Sequence, residues 1–305
     1  MRNPMVLVVL FIALVAVSCG EGEDHSLPSA TEVYSGFIAA SEFVVGQNRF
    51  PFLLVAIDGA TLEGADVRVS FSRVEGETET RYSEANARWL SIPDNAVHVH
   101  PDGDEHIHLD FRGIYVVDAT DFPQEGVWLA SFDVSLDGER LGVVERAGFR
   151  VAATPGAPGV GETVHATENL TIHDVDSFAE ISTRQVERDE LHNVSVAQAL
   201  NAGEPFVVVI ASPQFCASAM CGPVIETVDA ARVQLARAIE FIHIEPWDLT
   251  AAREQGQLVP APIVAEWSLP TEPWTYVIGA DGRVVKRFEG LVSVDEIVAA
   301  VEPLL

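Results

Sequence analysis

The chain has 305 residues, 48% of them apolar, and a formal net charge of -28 at pH 7, with 46 acidic side chains against 18 basic ones. That charge excludes nucleic acid and anionic headgroups as electrostatic partners. The apolar fraction suffices for sizeable cores, and the length suits two domains.

Taken from the start, Arg2 precedes an apolar run from Met5 to Val17, the layout of a secretory signal. The run is too short to cross a bilayer, which takes about 20 apolar residues. It ends in Ala16-Val17-Ser18-Cys19. This resembles the bacterial lipobox, with Ala16 where the pattern usually has Leu. The resemblance implies a signal over residues 1–18, a diacylglyceryl group on Cys19 and an extracytoplasmic protein anchored to a bacterial membrane by its lipid. Residues 19–33, with Gly20-Glu21-Gly22-Glu23-Asp24, form a polar tether.

Residues 34–152 carry a β pattern. Short apolar runs such as Phe52–Val55, Val67–Phe71, Gly113–Val117 and Val127–Phe132 alternate with Gly, Asp and Asn breaks. Val67, Val69 and Phe71 alternate with Arg68 and Ser70, as on a half-buried strand. Asp137-Gly138 is a hairpin signal. Regularly spaced strands without a helix predict an all-β, immunoglobulin-like sandwich.

Residues 153–190 read as a linker. They open on Ala153-Thr154-Pro155-Gly156-Ala157-Pro158-Gly159, and the polar remainder is expected to drape over one domain or bridge the two. Helices and strands then alternate over residues 191–305. Ser195 and Gln198 make a capping box for a helix ending at Gly203, and Ser293 and Glu296 make another for the final helix. Phe206–Ile210 is apolar throughout, as in a strand buried on both faces. A helix is predicted from Gly222 to Ile239, with Val224, Val228, Ala231 and Leu235 on one face. Strands are predicted at Phe241–Ile244, Trp274–Ile278 and Arg283–Phe288.

This α/β order, with Cys221-Gly222-Pro223 between a buried strand and an amphipathic helix, Pro273 just before a strand, and an Asp281-Gly282 hairpin, resembles the thioredoxin-like superfamily over Leu191–Leu305. The resemblance implies a thioredoxin-like fold in which Pro273 is the cis-proline beside the cysteines. A thiol at a helix N-terminus is favoured as thiolate. Val224 stands where the family has its resolving cysteine, and the buried strand lacks the family's proton-relay aspartate. With Cys19 lipidated, Cys216 is the partner left for Cys221. The Cys-x-x-x-x-Cys loop can close a disulfide if its Cα atoms come within about 7 Å, and an oxidising compartment favours that bond. Glu272, if near the sulfurs, opposes a thiolate. The Sco-like copper-delivery proteins use two cysteines here plus a histidine before the Trp274 strand, which this chain lacks.

His98-Val99-His100 and His106-Ile107-His108 flank an acidic Pro101–Glu105 turn. A hairpin pairing His100 with His106 and His98 with His108 puts four imidazoles on one face, a set suited to copper or zinc. Two functions follow. In the first, a thiol–disulfide oxidoreductase acts on an unidentified protein thiol or disulfide, with Cys221 attacking, Cys216 resolving and Pro273 orienting substrate. In the second, a non-catalytic binding or metal-handling lipoprotein carries a structural disulfide and a histidine hairpin.

Overall fold

The computed structural model describes residues 33–92, 98–99, 105–106, 112–141, 143–186, 189–216, 220–236 and 238–305, with backbone alone at 98–99, 105–106 and 143. Residues 1–32, including Cys19 and its leader, lie outside it. Among the described residues no helix is long and apolar enough to cross a membrane.

The N-terminal half is all β. Its strands are β1 (Val33–Ile38), β2 (Phe43–Val44), β3 (Gly46–Ala56), β4 (Asp66–Glu75), β5 (Thr78–Ser91), β6 (His98–Val99), β7 (Glu105–His106), β8 (Gly113–Phe122), β9 (Gly126–Leu136), β10 (Glu139–Arg140), β11 (Val143–Glu145) and β12 (Ala147–Ala152). Ten of them join in the order β11-β1-β3-β8-β5-β4-β9-β12-β2, with β10 on β9. The long β5 serves both halves of this path: Thr78–Ala87 pairs with β4 and Arg88–Ser91 with β8. A single core results, filled by Phe50, Phe52 and Tyr115 together with Val67, Val69, Phe71, Trp128 and Ala130. Strand alternation explains the choice: Val67, Val69 and Phe71 are buried, while Asp66 and Arg68 face water.

The C-terminal half alternates helix and strand. It contains α1 (Val196–Ala202), β13 (Phe206–Ile210), α2 (Cys221–Gln234), β14 (Glu240–Ile244), α3 (Leu249–Gln255), α4 (Pro262–Glu266), β15 (Trp274–Ile278), β16 (Val284–Glu289) and α5 (Val294–Val301). The sheet order is β14-β13-β15-β16; β13 runs parallel to β14, and β15 antiparallel to both β13 and β16. Val207 and Val209 join the core under α2 and α5. Phe206, Val208 and Ile210 join a second one with Val196, Ala199, Ile263 and Trp267. Burial on both faces is why β13 is apolar at every position.

Both expected capping boxes are present, at Ser195/Gln198 and Ser293/Glu296. α2 is shorter than expected: it ends at Gln234, Leu235 caps it, and Ala236 takes φ +50°, which turns the chain before Ile239. The segment after residue 152 lies along the α/β sheet. Thr163 bridges Arg283, the N–H of Gly161 donates to the Val284 carbonyl, and Ala157 and Val164 are buried among β13 and β15 side chains.

The two halves share a core. Leu90, Ile92, Ile114 and Val116 pack in one cluster with Phe288, Leu291, Val292 and Ile297. Arg49 crosses the junction to Glu296 at 2.8 Å and to the Leu291 carbonyl at 2.7 Å, and Arg88 reaches Glu296 at 2.9 Å.

Candidate functional site

Cys221 is the first residue of α2, reached by the loop that leaves β13. Cys216 lies in that loop; residues 217–219 lie outside the described residues. The two are thiols, not joined in a disulfide. Glu272 enters from the segment before β15, and the Glu272–Pro273 peptide is cis. The Pro273 carbonyl is tied to the Gly290 N–H at 2.9 Å. The two sulfurs and a Glu272 carboxyl oxygen all lie within 4.8 Å of one another.

Exposure separates the two thiols. Cys221 is 0% exposed, while Cys216 is partly open to solvent. Burial works against the expectation that Cys221 is the activated thiolate. Burial pushes its pKa well above the ordinary thiol value; a hydrogen bond to Cys216, the charge on Cys216 and the charge on Glu272 act in the same direction. A backbone hydrogen bond from Ser212 opposes them. A helix N-terminus does favour a thiolate, but the loss of water around a fully buried sulfur is the larger effect.

Glu272 is the residue whose placement sequence reasoning left conditional. Its carboxyl is pushed up to about 8, by burial first and then by the charge on Cys216. Oε1 accepts from the Trp247 indole N–H at 3.2 Å, Cys221 acts on the carboxyl, and among the described residues Oε2 is buried with no partner at hydrogen-bond geometry. A carboxyl that titrates near neutrality beside two sulfurs can hold or receive a proton. Glu245, at the end of β14, is a second buried carboxyl, pushed up to about 7 chiefly by burial. It ties the site to the preceding segment, accepting from the N–H and hydroxyl of Thr183 at 2.6 and 2.7 Å.

The histidine hairpin stands apart. β6 and β7 pair antiparallel with His98 opposite His106 and Val99 opposite Glu105. This corrects the expected register, which set His98 opposite His108. The offset is two residues, so it keeps the strand alternation in step. His100 and His108 lie outside the described residues.

A parallel β13–β14 pair, an antiparallel β15–β16 pair, a dithiol at the start of the first connecting helix and a cis-proline before β15 define a thioredoxin-like fold. The chain matches no protein-family model, and no curated protein is similar to it in sequence. Among solved structures it is similar to a thioredoxin-family thiol:disulfide interchange protein from Chlorobium tepidum TLS. That likeness has 15% identity and a TM-score of 0.29 over 50% of this chain and 99% of the other.

Proposed function

We propose that this protein is a thiol–disulfide oxidoreductase, lipid-anchored through Cys19 outside the cytoplasm, with an immunoglobulin-like sandwich as the platform for its thioredoxin-like domain. The observation that carries the reading is the grouping of one partly exposed thiol, one buried thiol and one buried carboxyl within 4.8 Å. Exposure assigns the roles in the reverse of the sequence expectation. The Cys216 thiolate attacks a sulfur of a substrate disulfide, forming a mixed disulfide and expelling one substrate thiolate. Cys221 then loses its proton to Glu272 and attacks the Cys216 sulfur. The second substrate thiolate leaves, the substrate is reduced by two electrons, and the Cys216–Cys221 pair is oxidised to a disulfide. An external dithiol returns the pair to its reduced form, and the same steps reversed oxidise a substrate dithiol. Pro273 lies where an extended substrate strand would dock.

Trapping tests this reading. Cys221→Ser should accumulate a mixed disulfide through Cys216, whereas Cys216→Ser should accumulate none. Non-reducing electrophoresis with mass spectrometry reads both. Trapping by neither variant, with a pair potential below about -300 mV, would make the cysteines a structural staple. The anchor is tested separately: Cys19→Ser should move the chain out of the membrane fraction, and retention there would refute it.

A second reading is favoured by the same donor group. Two sulfurs and a carboxylate form a set for a soft or borderline ion such as copper or zinc. In that case the protein handles metal, with the histidine hairpin at His98, His100, His106 and His108 as a further site. Metal bound by the double variant Cys216→Ser/Cys221→Ser as well as by the wild type would assign binding to the hairpin.

A further inference from the structure

A cavity of about 410 Å³ adjoins the dithiol site through Trp247, which forms part of its wall while its indole N–H reaches Glu272. Leu170, Ile181, Leu249, Val259, Pro260 and Ile263 supply an apolar lining. The charged groups among the described lining residues are all acidic: Glu168, Glu180, Glu245 and Asp248. Glu180 accepts from the Ser177 N–H, and Asp248 caps α3 through the Ala251 N–H. His243 also lines the cavity, but both its ring nitrogens are engaged, with His192 and with the Ala211 carbonyl. Arg253 acts on Glu245 from nearby and is bonded to the carbonyls of Ala179 and Ser182.

Glu245 is only 5% exposed. Its Oε1 is satisfied by Thr183 and Ser212 also acts on the carboxyl, yet among the described residues Oε2 is buried with no partner at hydrogen-bond geometry. A buried acceptor left unmatched is costly, and native proteins keep few of them. The cavity is of the size that holds a small ligand, with apolar walls and a few polar groups that fix orientation.

We propose that this cavity binds an alkylammonium group, whose N–H donors meet Oε2 of Glu245 while its methylene chain lies on the apolar wall. An ammonium offers donors and no acceptor, which suits a lining of carboxylates without lysine or arginine. The group can arrive on a lysine side chain of an extended partner or as a free small amine. Site and ligand are independent of thiol exchange, so this inference and the proposed activity can fail separately.

Calorimetry on the reduced mature chain tests it, with n-hexylammonium, n-hexanol and the peptide Gly-Lys-Gly as probes. Hexylammonium should bind about tenfold more tightly than hexanol, as expected when a charge-assisted bond replaces a neutral one. Glu245→Gln, which preserves an acceptor toward Thr183, should reduce that preference to about twofold or less. Val259→Trp, at a position 43% exposed, should fill the cavity and abolish binding with Glu245 intact. Gly-Lys-Gly binding as tightly as hexylammonium identifies a lysine-bearing partner; weaker binding of the peptide identifies a free amine. Equal affinity for amine and alcohol, an undiminished preference in Glu245→Gln, or full binding by Val259→Trp would overturn the proposal.

Discussion

A buried thiol is a poor nucleophile until something lowers the cost of ionising it. For Cys221, the hydrogen bond to Cys216 and the charge on Cys216 are two of the causes that hold its proton in place. Both disappear once Cys216 is tied up in a mixed disulfide, so Cys221 becomes easier to ionise at the moment its attack is needed. In the proposed mechanism Glu272 then accepts the proton, and only its carboxylate form can do so. The charge on Cys216, one cause of the rise of the Glu272 carboxyl to about 8, is absent in the mixed disulfide, so the resolution rate should rise with pH and level off below about 8. Glu272→Gln should slow resolution by about 100-fold, the low end for loss of a general base, and erase that titration. Alkylation of Cys216 should instead become faster above about pH 8, where Glu272 is charged in the reduced protein and the variant lacks that charge. Stopped-flow decay of the mixed disulfide across pH 5–9 measures the first effect and timed alkylation the second; an unchanged pH profile would remove Glu272 from the mechanism. The pattern around Cys221-Gly222-Pro223 was enough to point in the sequence to the two cysteines that the structure brings together with Glu272. The order of attack was not legible there, because it depends on which sulfur the tertiary structure leaves open.

At the level of elements, local chemistry was readable wherever a side chain acts on its own turn. Ser195 and Ser293 accept the backbone N–H groups of Gln198 and Glu296 as their spacing implies. The same kind of signal marks α3, with Asp248 as N-cap and Gly256 in the left-handed region after it, and α4, with Pro262 in its first turn. Those two helices were not foreseen because at seven and five residues they are too short to show a helical apolar period. The polar stretch before residue 190 was opaque for a different reason: its buried Arg184 is held partly within the stretch and partly by α2. Arg184 is bonded to Asp189 at 2.5 Å and to Glu226 of α2 at 2.8 Å. Asp189 Oδ1 lies 2.6 Å from His192 Nδ1, and His192 Nε2 lies 3.1 Å from His243 Nδ1 on β14. The Ala211 carbonyl can only accept, so His243 Nε2 carries its proton and Nδ1 accepts from His192. Burial alone would raise the Asp189 carboxyl, but its hydrogen bond to His192 and the charges of His192 and Arg184 hold it well below the usual carboxylate range. A depressed acid stabilises the fold above its unfolded pKa, and that contribution is lost as pH falls. Asp189→Ala should therefore cost about 3 kcal/mol at pH 7, since it leaves a buried guanidinium and imidazole without their partner. The gap to wild type should narrow in acid. Urea unfolding at pH 7 and at about pH 2.5, below the unfolded carboxyl's range, checks both, and a loss under about 1 kcal/mol at pH 7 would show that Glu226 and Asp229 suffice to hold Arg184.

For the whole molecule, the decisive feature is that the all-β half and the α/β half are not joined merely by a tether. A linker reading of residues 153–190 suggests independence, because sequence gives no sign that Ile114 and Val116 of β8 share a core with Ile297 of α5. Alternation shows that a strand has a buried face but not what buries it. At the rim of this contact, Glu296 does three things: it completes the Ser293 capping box, it pairs with Arg49, whose side chain is only 7% exposed, and it pairs with Arg88. Burial would raise its carboxyl, but Arg49 overrides this and keeps it lowered. Removing it as Glu296→Ala loses the N3 half of the capping box, while Ser293 still caps the 296 N–H, and strands a buried guanidinium, for about 3 kcal/mol in all. If the halves are one cooperative unit, the wild type should melt in a single calorimetric transition with equal van't Hoff and calorimetric enthalpies. The variant should then shift that whole transition to lower temperature. Two transitions, of which Glu296→Ala moves only the α/β one, would mean that the shared core is too weak to couple the halves. The coupling matters for the site because β16 and α5, which bear on the all-β half, are also the elements that pack against β15, the strand that Glu272 and Pro273 lead into.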